Sequence, residues 1–247
     1  MDTRLESYSC FDFEEGESRF AVYRKAPQDD SKHAPAVVVM HEVPGIYPAV
    51  IDFAERLVAQ GYTVYMPSLT GTPGREFSGP YVLSSIGRAC ISKEFHVLAQ
   101  RESSPITNAL RALCRHAHAQ CGGVGVGAIG MCLTGNFALS LMVDESVMAP
   151  VLSQPSLPFP VSKKHKCALH ISDDDLAIVK QRIASEDVSV LGLRFTDDPM
   201  CPPERFARLQ EELGEGFESV EIDSSKGNDF GLSGSAHSVV TRDLVDE

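Results

Sequence analysis

The chain has 247 residues, of which 43% are hydrophobic and 23% charged, a balance that predicts one well-buried core in a single domain over residues 1–247. The formal net charge is -12 and no cluster of five or more basic residues occurs, which argues against nucleic acid as a partner. No run of eighteen or more apolar residues occurs and the first segment is acidic, so we expect neither a membrane span nor a signal peptide.

The cysteines favour free thiols in a reducing, cytoplasmic environment. Their number is odd, and no C-x-x-C pair or closely spaced histidine suggests zinc. We therefore expect neither a metal nor an organic cofactor. The seven positions are Cys10, Cys90, Cys114, Cys121, Cys132, Cys167 and Cys201.

The first elements are a strand over 19–25, where polar and apolar residues alternate, and a polar turn over 27–33, which together suggest an antiparallel hairpin. The β-branched run at 34–40 predicts a strand that is buried on both faces of a parallel sheet. A helix over 48–60 follows, with a proline at its start and Gly61 at its end.

Strands and helices then alternate, which predicts a mostly parallel, doubly wound α/β sheet with helices on both faces. The Gly-, Pro- and Ser-rich segment at about 68–87 is predicted to be a long loop, and 154–187 receives no firm assignment. The remaining predicted strands are 62–67, 124–130, 189–195 and 217–223, and the remaining predicted helices are 105–119, 133–143 and 202–213.

A candidate nucleophile lies between a predicted strand and a predicted helix, in the sequence GMCLTG at 130–135. This context is typical of the strained strand-to-helix turn called a nucleophile elbow, with Cys132 in place of the usual serine. Small residues are needed two positions away, where Gly130 and Thr134 stand. The N-terminus of the following helix would favour a thiolate. The alternative is that Cys132 is a small buried hydrophobe.

A candidate acid and a candidate base follow in the chain order expected of this arrangement, which is nucleophile, acid, histidine. Asp197 and Asp198 come directly after the strand at 189–195, where sites of open α/β sheets gather. Either aspartate could serve, and the other would belong to a solvated turn before the next helix. His237 is the only histidine that follows them.

The loop after the strand at 34–40 is where this kind of site takes one oxyanion donor from a backbone N–H group. Val43 is the candidate in that loop, and Leu133, which follows the candidate nucleophile, is its expected partner.

Four segments in this order, HEVPGI, GMCLTG, DPMCP and AHSVV, resemble the dienelactone hydrolase family. The resemblance implies an α/β-hydrolase fold with a Cys-Asp-His triad of Cys132, Asp198 and His237. Asp198 is preferred to Asp197 because the family aspartate begins a D-P-x-x-P stretch. The resemblance also implies that Glu42 contacts the resting thiol.

The sequence departs from the family pattern at two positions. Thr134 replaces a glycine of the elbow, and Thr241 stands where an arginine gathers the substrate carboxylate in dienelactone-cleaving members. Arg75 or Arg242 could replace that cation, although surface charges are the simpler interpretation.

The expected function is hydrolysis of a small ester or lactone through a thioacyl enzyme. A non-catalytic small-molecule-binding member of the fold and an acyltransferase with the same triad are the alternatives. The sequence specifies neither the natural substrate nor the oligomeric state.

Overall fold

The computed structural model describes residues 2–28, 34–91 and 105–245. The strands in this part of the chain are β1 (Ser9–Glu15), β2 (Ser18–Lys25), β3 (Ala36–Met40), β4 (Thr63–Pro67), β5 (Val126–Met131), β6 (Val147–Ser153), β7 (Val190–Phe195) and β8 (Phe217–Ile222). They form one sheet in the order β1-β2-β4-β3-β5-β6-β7-β8. Strands β3 to β8 are parallel to one another, and β1 and β2 are antiparallel to their neighbours.

The α-helices of the described residues are α1 (Pro48–Ala59), α2 (Gly79–Ile91), α3 (Pro105–Cys121), α4 (Phe137–Leu141), α5 (Lys163–Cys167), α6 (Asp173–Ser185) and α7 (Pro203–Leu213). None of them is long and apolar enough to cross a membrane. The predicted helices at 48–60, 105–119 and 202–213 are confirmed as α1, α3 and α7. The predicted helix at 133–143 was too long, because a 3-10 turn at Cys132–Thr134 precedes the short α4.

The predicted antiparallel hairpin exists, but its turn lies at a different place in the chain. Strand β2 pairs with β1 through a tight turn at Gly16 and on its other side with β4. The hairpin therefore precedes the strand at 19–25 instead of following it at 27–33, and residues 29–33 of that expected turn lie outside the described residues. The expected loop at 68–87 contains the beginning of α2, from Gly79 onward.

Strand β3 shows why the sheet is covered on both faces, as its β-branched sequence predicts. All five of its residues are buried. Val38 belongs to the hydrophobic cluster that contains Leu110 of α3, and Val39 belongs to the cluster that contains Val50 of α1. Because side chains alternate across a strand, one apolar run supplies both cores. The polar groups that follow β3, β5 and β7 are thereby left at one common edge of the sheet.

Arg205 of α7 holds the irregular segment that follows β6. Its buried guanidinium group donates hydrogen bonds to four carbonyl oxygens, those of Pro155 (2.5 Å), Pro158 (2.6 Å), His165 (3.0 Å) and Ala168 (3.1 Å). Buried carbonyl groups need such donors where no strand or long helix supplies them. A single side chain thus replaces backbone hydrogen bonding in this segment.

We expect Arg205→Ala to lower the free energy of unfolding by at least about 3 kcal/mol, since several buried carbonyls would lose their donor at about 1 kcal/mol or more each. Urea unfolding followed by circular dichroism measures the change. The matched control is Arg208→Ala, because Arg208 lies on the same helix but pairs at the surface with Glu211 and Glu212. That control should lose less than about 1 kcal/mol. Equal losses in the two variants would contradict the assigned role of Arg205.

Candidate active site

Cys132 occupies a sharp turn directly after β5, as the elbow motif predicts. Its φ angle is 54°, a left-handed backbone conformation that is strained for a residue with a side chain. A Cβ atom at Gly130 would lie 2.2 Å from the carbonyl oxygen of Thr134, so this position accepts only glycine. A Cβ atom at Gly135 would lie 2.5 Å from Cα of Pro155. The turn therefore presents Cys132 at the carboxyl edge of the sheet, where it is half-buried.

Thr134, which stands where the family pattern has a glycine, makes hydrogen bonds that a glycine could not make. Its Oγ1 accepts a hydrogen bond from the Met131 N–H group (2.9 Å) and donates to the carbonyl oxygen of Met40 (2.9 Å). The hydroxyl group thus ties the end of β5 to the end of β3.

The structure brings Asp198, and not Asp197, to His237. The Nδ1 atom of His237 donates to Oδ2 of Asp198 at 2.7 Å, and the Met200 N–H group donates to Oδ1 at 2.8 Å. Asp198 is buried, whereas Asp197 is exposed and its N–H group donates to Oγ of Ser224 (3.1 Å). Asp198 is therefore the aspartate that orients His237, as the D-P-x-x-P pattern implies, and Asp197 belongs to an exposed turn.

The imidazole of His237 is largely buried and lies between Asp198 and Cys132. Burial alone would lower the pKa of His237, but hydrogen bonds to Asp198 and to Cys132 together raise it to about 11. The carboxylate of Asp198 therefore stabilises the protonated form that His237 takes when it accepts a proton.

The side chain of Asp243 holds the backbone of the loop that carries His237. Its Oδ2 atom accepts hydrogen bonds from the backbone N–H groups of His237 (2.9 Å) and Ser238 (3.0 Å). Burial would raise the pKa of Asp243, but these two bonds and the guanidinium group of Arg242 lower it below its ordinary value. A charged carboxylate thus orients the backbone of this loop.

Glu42 lies at the centre of a buried polar cluster that we call the Glu42 cage, formed with Tyr47, Gln154, Ser238 and Thr241. Its Oε1 atom accepts hydrogen bonds from the hydroxyl groups of Tyr47 (2.5 Å) and Thr241. Its Oε2 atom accepts from Oγ of Ser238 (2.8 Å) and Nε2 of Gln154 (3.2 Å). Both carboxylate oxygens are therefore occupied by side-chain donors.

The contact between Glu42 and the resting thiol that the family resemblance implies stays a prediction. The hydrogen bonds described for the Glu42 side chain come from the Glu42 cage. These four donors satisfy the carboxylate and hold it in place.

His41, the residue before Glu42, is a structural group. Its Nδ1 atom donates to the carbonyl oxygen of Glu42 (2.8 Å), and its Nε2 atom accepts from the N–H groups of Leu69 (3.0 Å) and Thr70 (3.4 Å). Complete burial lowers the pKa of His41 to about 4. The neutral ring therefore joins the loop after β3 to the loop after β4.

The two expected oxyanion donors lie in the turn after β5 and in the loop after β3. Leu133 follows Cys132 in the first turn of the 3-10 helix, where N–H groups lack an intrahelical acceptor. Val43 follows Glu42 in the loop after β3. Their role as donors to a substrate oxygen stays a prediction.

The two arginines that could replace the family cation both stack on aromatic rings. The guanidinium group of Arg75 lies 4.1 Å from the ring centre of Tyr81, and that of Arg242 lies 4.9 Å from the ring centre of Phe77 and 3.2 Å from Asp243. Thr241, at the place of the family arginine, points to Glu42. In the described part of the chain, no group of three or more His, Cys, Asp or Glu side chains could hold a metal ion.

A model of the dienelactone hydrolase family matches residues 20–220 of the chain. The chain belongs to the dienelactone hydrolase family. As a member of this family it is a hydrolase that acts on ester bonds, and its sheet and helices form the α/β-hydrolase fold, which α/β serine hydrolases of known structure share. No curated protein matches the chain.

Solved structures with this fold include other proteins named for the family. A protein named m3DLH has 18% identity, with 93% of this chain and 90% of that chain covered and a TM-score of 0.62. A putative dienelactone hydrolase from Klebsiella pneumoniae also has 18% identity, with 87% of each chain covered and a TM-score of 0.58. A dienelactone hydrolase-like promiscuous phosphotriesterase, P91, from metagenomic libraries has 18% identity, 87% and 81% coverage and a TM-score of 0.56.

Sequence reasoning missed several residues that shape the site. Gln154 and Ser156 lie in the segment that received no assignment, and their backbone follows β6, a strand that was not predicted. Ser238 and Asp243 carried a usable signal, because a run of hydroxyl and carboxyl side chains beside a candidate catalytic histidine indicates a hydrogen-bonded loop.

Replacing Gly130 by alanine should lower the free energy of unfolding by at least about 2 kcal/mol, because the added Cβ would overlap the carbonyl group of Thr134. Thermal unfolding of both proteins measures the loss. Gly79→Ala is the control, since Gly79 is exposed and a Cβ there would meet no atom within 4 Å. It should be neutral or up to about 1 kcal/mol stabilising. If both variants were equally stable, the elbow would be less tight than described.

His41 should contribute a pH dependence to stability. Its folded pKa of about 4 lies below its ordinary value of 6.5, so between these values the unfolded chain binds a proton that the folded chain excludes. Compared with His41→Gln, the wild type should lose stability as pH falls from about 6.5 to about 4, by up to roughly 1.4 kcal/mol per pH unit. Urea unfolding of both proteins across this range measures it. A constant difference would contradict a buried neutral imidazole.

Proposed function

We propose that the protein hydrolyses small esters or lactones with Cys132 as nucleophile, His237 as base and Asp198 as the residue that orients the base. The observation that carries the proposal is the 2.7 Å hydrogen bond from His237 to buried Asp198, with Cys132 on its strained turn near enough to raise the pKa of the same imidazole. Nucleophile, base and orienting carboxylate in one connected series are the geometric signature of this chemistry.

In the first half-reaction the thiol proton passes to Nε2 of His237 and the sulfur attacks the carbonyl carbon of the ester. A C–S bond forms, the bond to the leaving alkoxide breaks, and the Nε2 proton moves to that alkoxide oxygen. The products of this step are an alcohol and a thioacyl enzyme.

In the second half-reaction His237 takes a proton from water while the water oxygen attacks the thioester carbon. The C–S bond breaks, the acid leaves, and Cys132 and His237 recover their starting proton count. Backbone N–H groups of Val43 and Leu133 are suited to hold the tetrahedral oxygen, a contribution of roughly 3 kcal/mol per donor.

The preferred acyl group is uncharged. Thr241 occupies the place of the carboxylate-binding arginine, and its hydroxyl group is bound to Glu42. Arg242, the nearest alternative in sequence, pairs with Asp243. A free thiol nucleophile also suits a reducing compartment such as the cytoplasm, and the cysteines in the described ranges, apart from Cys90 whose side chain is not described, are free thiols.

Cys132→Ala and His237→Ala should each lower kcat/KM for p-nitrophenyl acetate and for small lactones by more than about 100-fold, because each removes one member of the proton-transfer series. Cys167→Ala and His165→Ala are the controls, since both residues lie near the exposed helix α5 and away from the triad contacts. These controls should retain wild-type rates. A neutral ester should be cleaved faster than an anionic ester with the same leaving group.

The other outcomes separate the alternative functions. A wild type as inert as its variants, with a ligand recovered unchanged, would favour a binding protein. Esters or thioesters of added alcohols or thiols among the products would favour acyl transfer, which shares the first half-reaction.

A further inference from the structure

We propose that Arg242 is a positioning residue for the candidate base. Its guanidinium group lies between the ring of Phe77 and the carboxylate of Asp243, an arrangement that we call the Arg242 clamp. The clamp fixes the loop that carries His237 against the loop after β4. This role deepens the proposed function and rests on it, because a base must be held in one position only where it transfers protons.

Asp243 holds the backbone of the loop that carries the base. Its Oδ2 atom accepts hydrogen bonds from the N–H groups of His237 (2.9 Å) and Ser238 (3.0 Å). Its own N–H group donates to the carbonyl oxygen of Ser238 (3.0 Å). The position of the His237 backbone is therefore tied to the position of the Asp243 carboxylate.

Arg242 in turn holds this carboxylate. Its Nε atom lies 3.5 Å from Oδ1 of Asp243, and its Nη2 atom lies 3.2 Å from Oδ2. A guanidinium group that contacts both oxygens of a carboxylate fixes its orientation as well as its place. The Asp243 side chain is only 21% exposed, so its charge is largely removed from water and is stabilised by this neighbouring cation.

Phe77 covers one face of the guanidinium group. The centre of its ring lies 4.9 Å from Cζ of Arg242, which is within the range of a cation–π interaction. The centre of the same ring lies 5.5 Å from that of Tyr47, whose hydroxyl group donates to Glu42. Phe77 thus joins the loop after β4 to Asp243 through Arg242, and to the Glu42 cage through Tyr47.

These contacts favour a positioning role for Arg242 over a role in binding substrate. An arginine that binds a substrate carboxylate presents its planar fork of N–H groups to the substrate. Arg242 instead places one edge against Asp243 and one face against Phe77. Its neighbour Thr241, at the place of the family arginine, donates to Glu42. Both residues therefore bind carboxylates of the protein itself.

The kinetic test compares hydrolysis of p-nitrophenyl acetate, which is neutral, and p-nitrophenyl hemisuccinate, which is anionic. In Arg242→Gln, kcat should fall about tenfold for both esters while KM changes by less than about two-fold, because a displaced base slows proton transfer without weakening substrate binding. Arg242→Lys keeps the cation beside Asp243 and should stay within about three-fold of the wild-type kcat.

Arg208→Gln is the matched control for the loss of a half-exposed arginine. The side chains of Arg208 and Arg242 are both 42% exposed, but Arg208 pairs with Glu211 and Glu212 of its own helix. This control should retain the wild-type kcat. An unchanged kcat in Arg242→Gln overturns the positioning role, and so does a loss that appears only in KM for the anionic ester, which would identify a substrate-binding arginine.

A double variant tests whether Arg242 acts through Asp243. Asp243→Asn should lower kcat at least as much as Arg242→Gln, because it weakens the acceptor of the loop N–H groups directly. The variant that combines both substitutions should lose no more than Asp243→Asn alone, since two residues that act through one contact are not additive. Independent, multiplying losses overturn the Arg242 clamp.

Hydrogen exchange of the backbone N–H groups of His237 and Ser238 tests the clamp without a substrate. Exchange should accelerate at least about five-fold in Arg242→Gln and stay unchanged in Arg208→Gln. Equal exchange in the wild type and Arg242→Gln overturns the clamp and, where esters are still hydrolysed, leaves the hydrolase. Faster exchange in Arg242→Gln beside a wild type that hydrolyses no ester overturns the hydrolase, while the clamp stands.

Discussion

The buried carboxylate of Glu42 is the constraint on which the candidate site depends. A charge removed from water is costly unless donors surround it, and here hydroxyl and amide groups from three other segments of the chain do so. Satisfying Glu42 thereby fixes the loop of His237 relative to the ends of β3 and β6. The hydrogen bonds of Glu42 describe a residue that assembles the site, and its contact with the thiol stays a prediction of the family resemblance.

Whereas Glu42 accepts hydrogen bonds, two buried arginines donate them to backbone carbonyl groups in the other irregular segments. Arg205 supplies donors to the carbonyl groups after β6, and Arg194 supplies donors to the carbonyl oxygens of Thr196 (2.8 Å) and Cys201 (3.0 Å) on either side of Asp198. Carbonyl groups in loops lack the ladder partners of strands, so each needs a donor. A guanidinium group therefore fixes the backbone on either side of Asp198, and carboxylates fix the loop that carries His237.

Features that depend on a short stretch of chain could be predicted from the sequence. The elbow around Cys132 depends on a short segment whose steric requirements are visible in the residues themselves. The residues also placed an aspartate after β7, and the family resemblance chose Asp198 over Asp197. The Glu42 cage was not predictable, because its hydrogen bonds join residues as far apart as Glu42 and Thr241 and no periodicity records such pairing. Strand β6 escaped prediction because Pro150 interrupts its apolar run.

The separation between Glu42 and Ser238, 196 positions along the chain, has a consequence for the order of folding. Contacts of such long range form late, because closing a large loop costs entropy before the contact stabilises anything. Until the two segments pair, the loop that carries His237 is not held against the ends of β3 and β6. Partly folded chains therefore lack the assembled candidate site, which forms only with the completed tertiary structure.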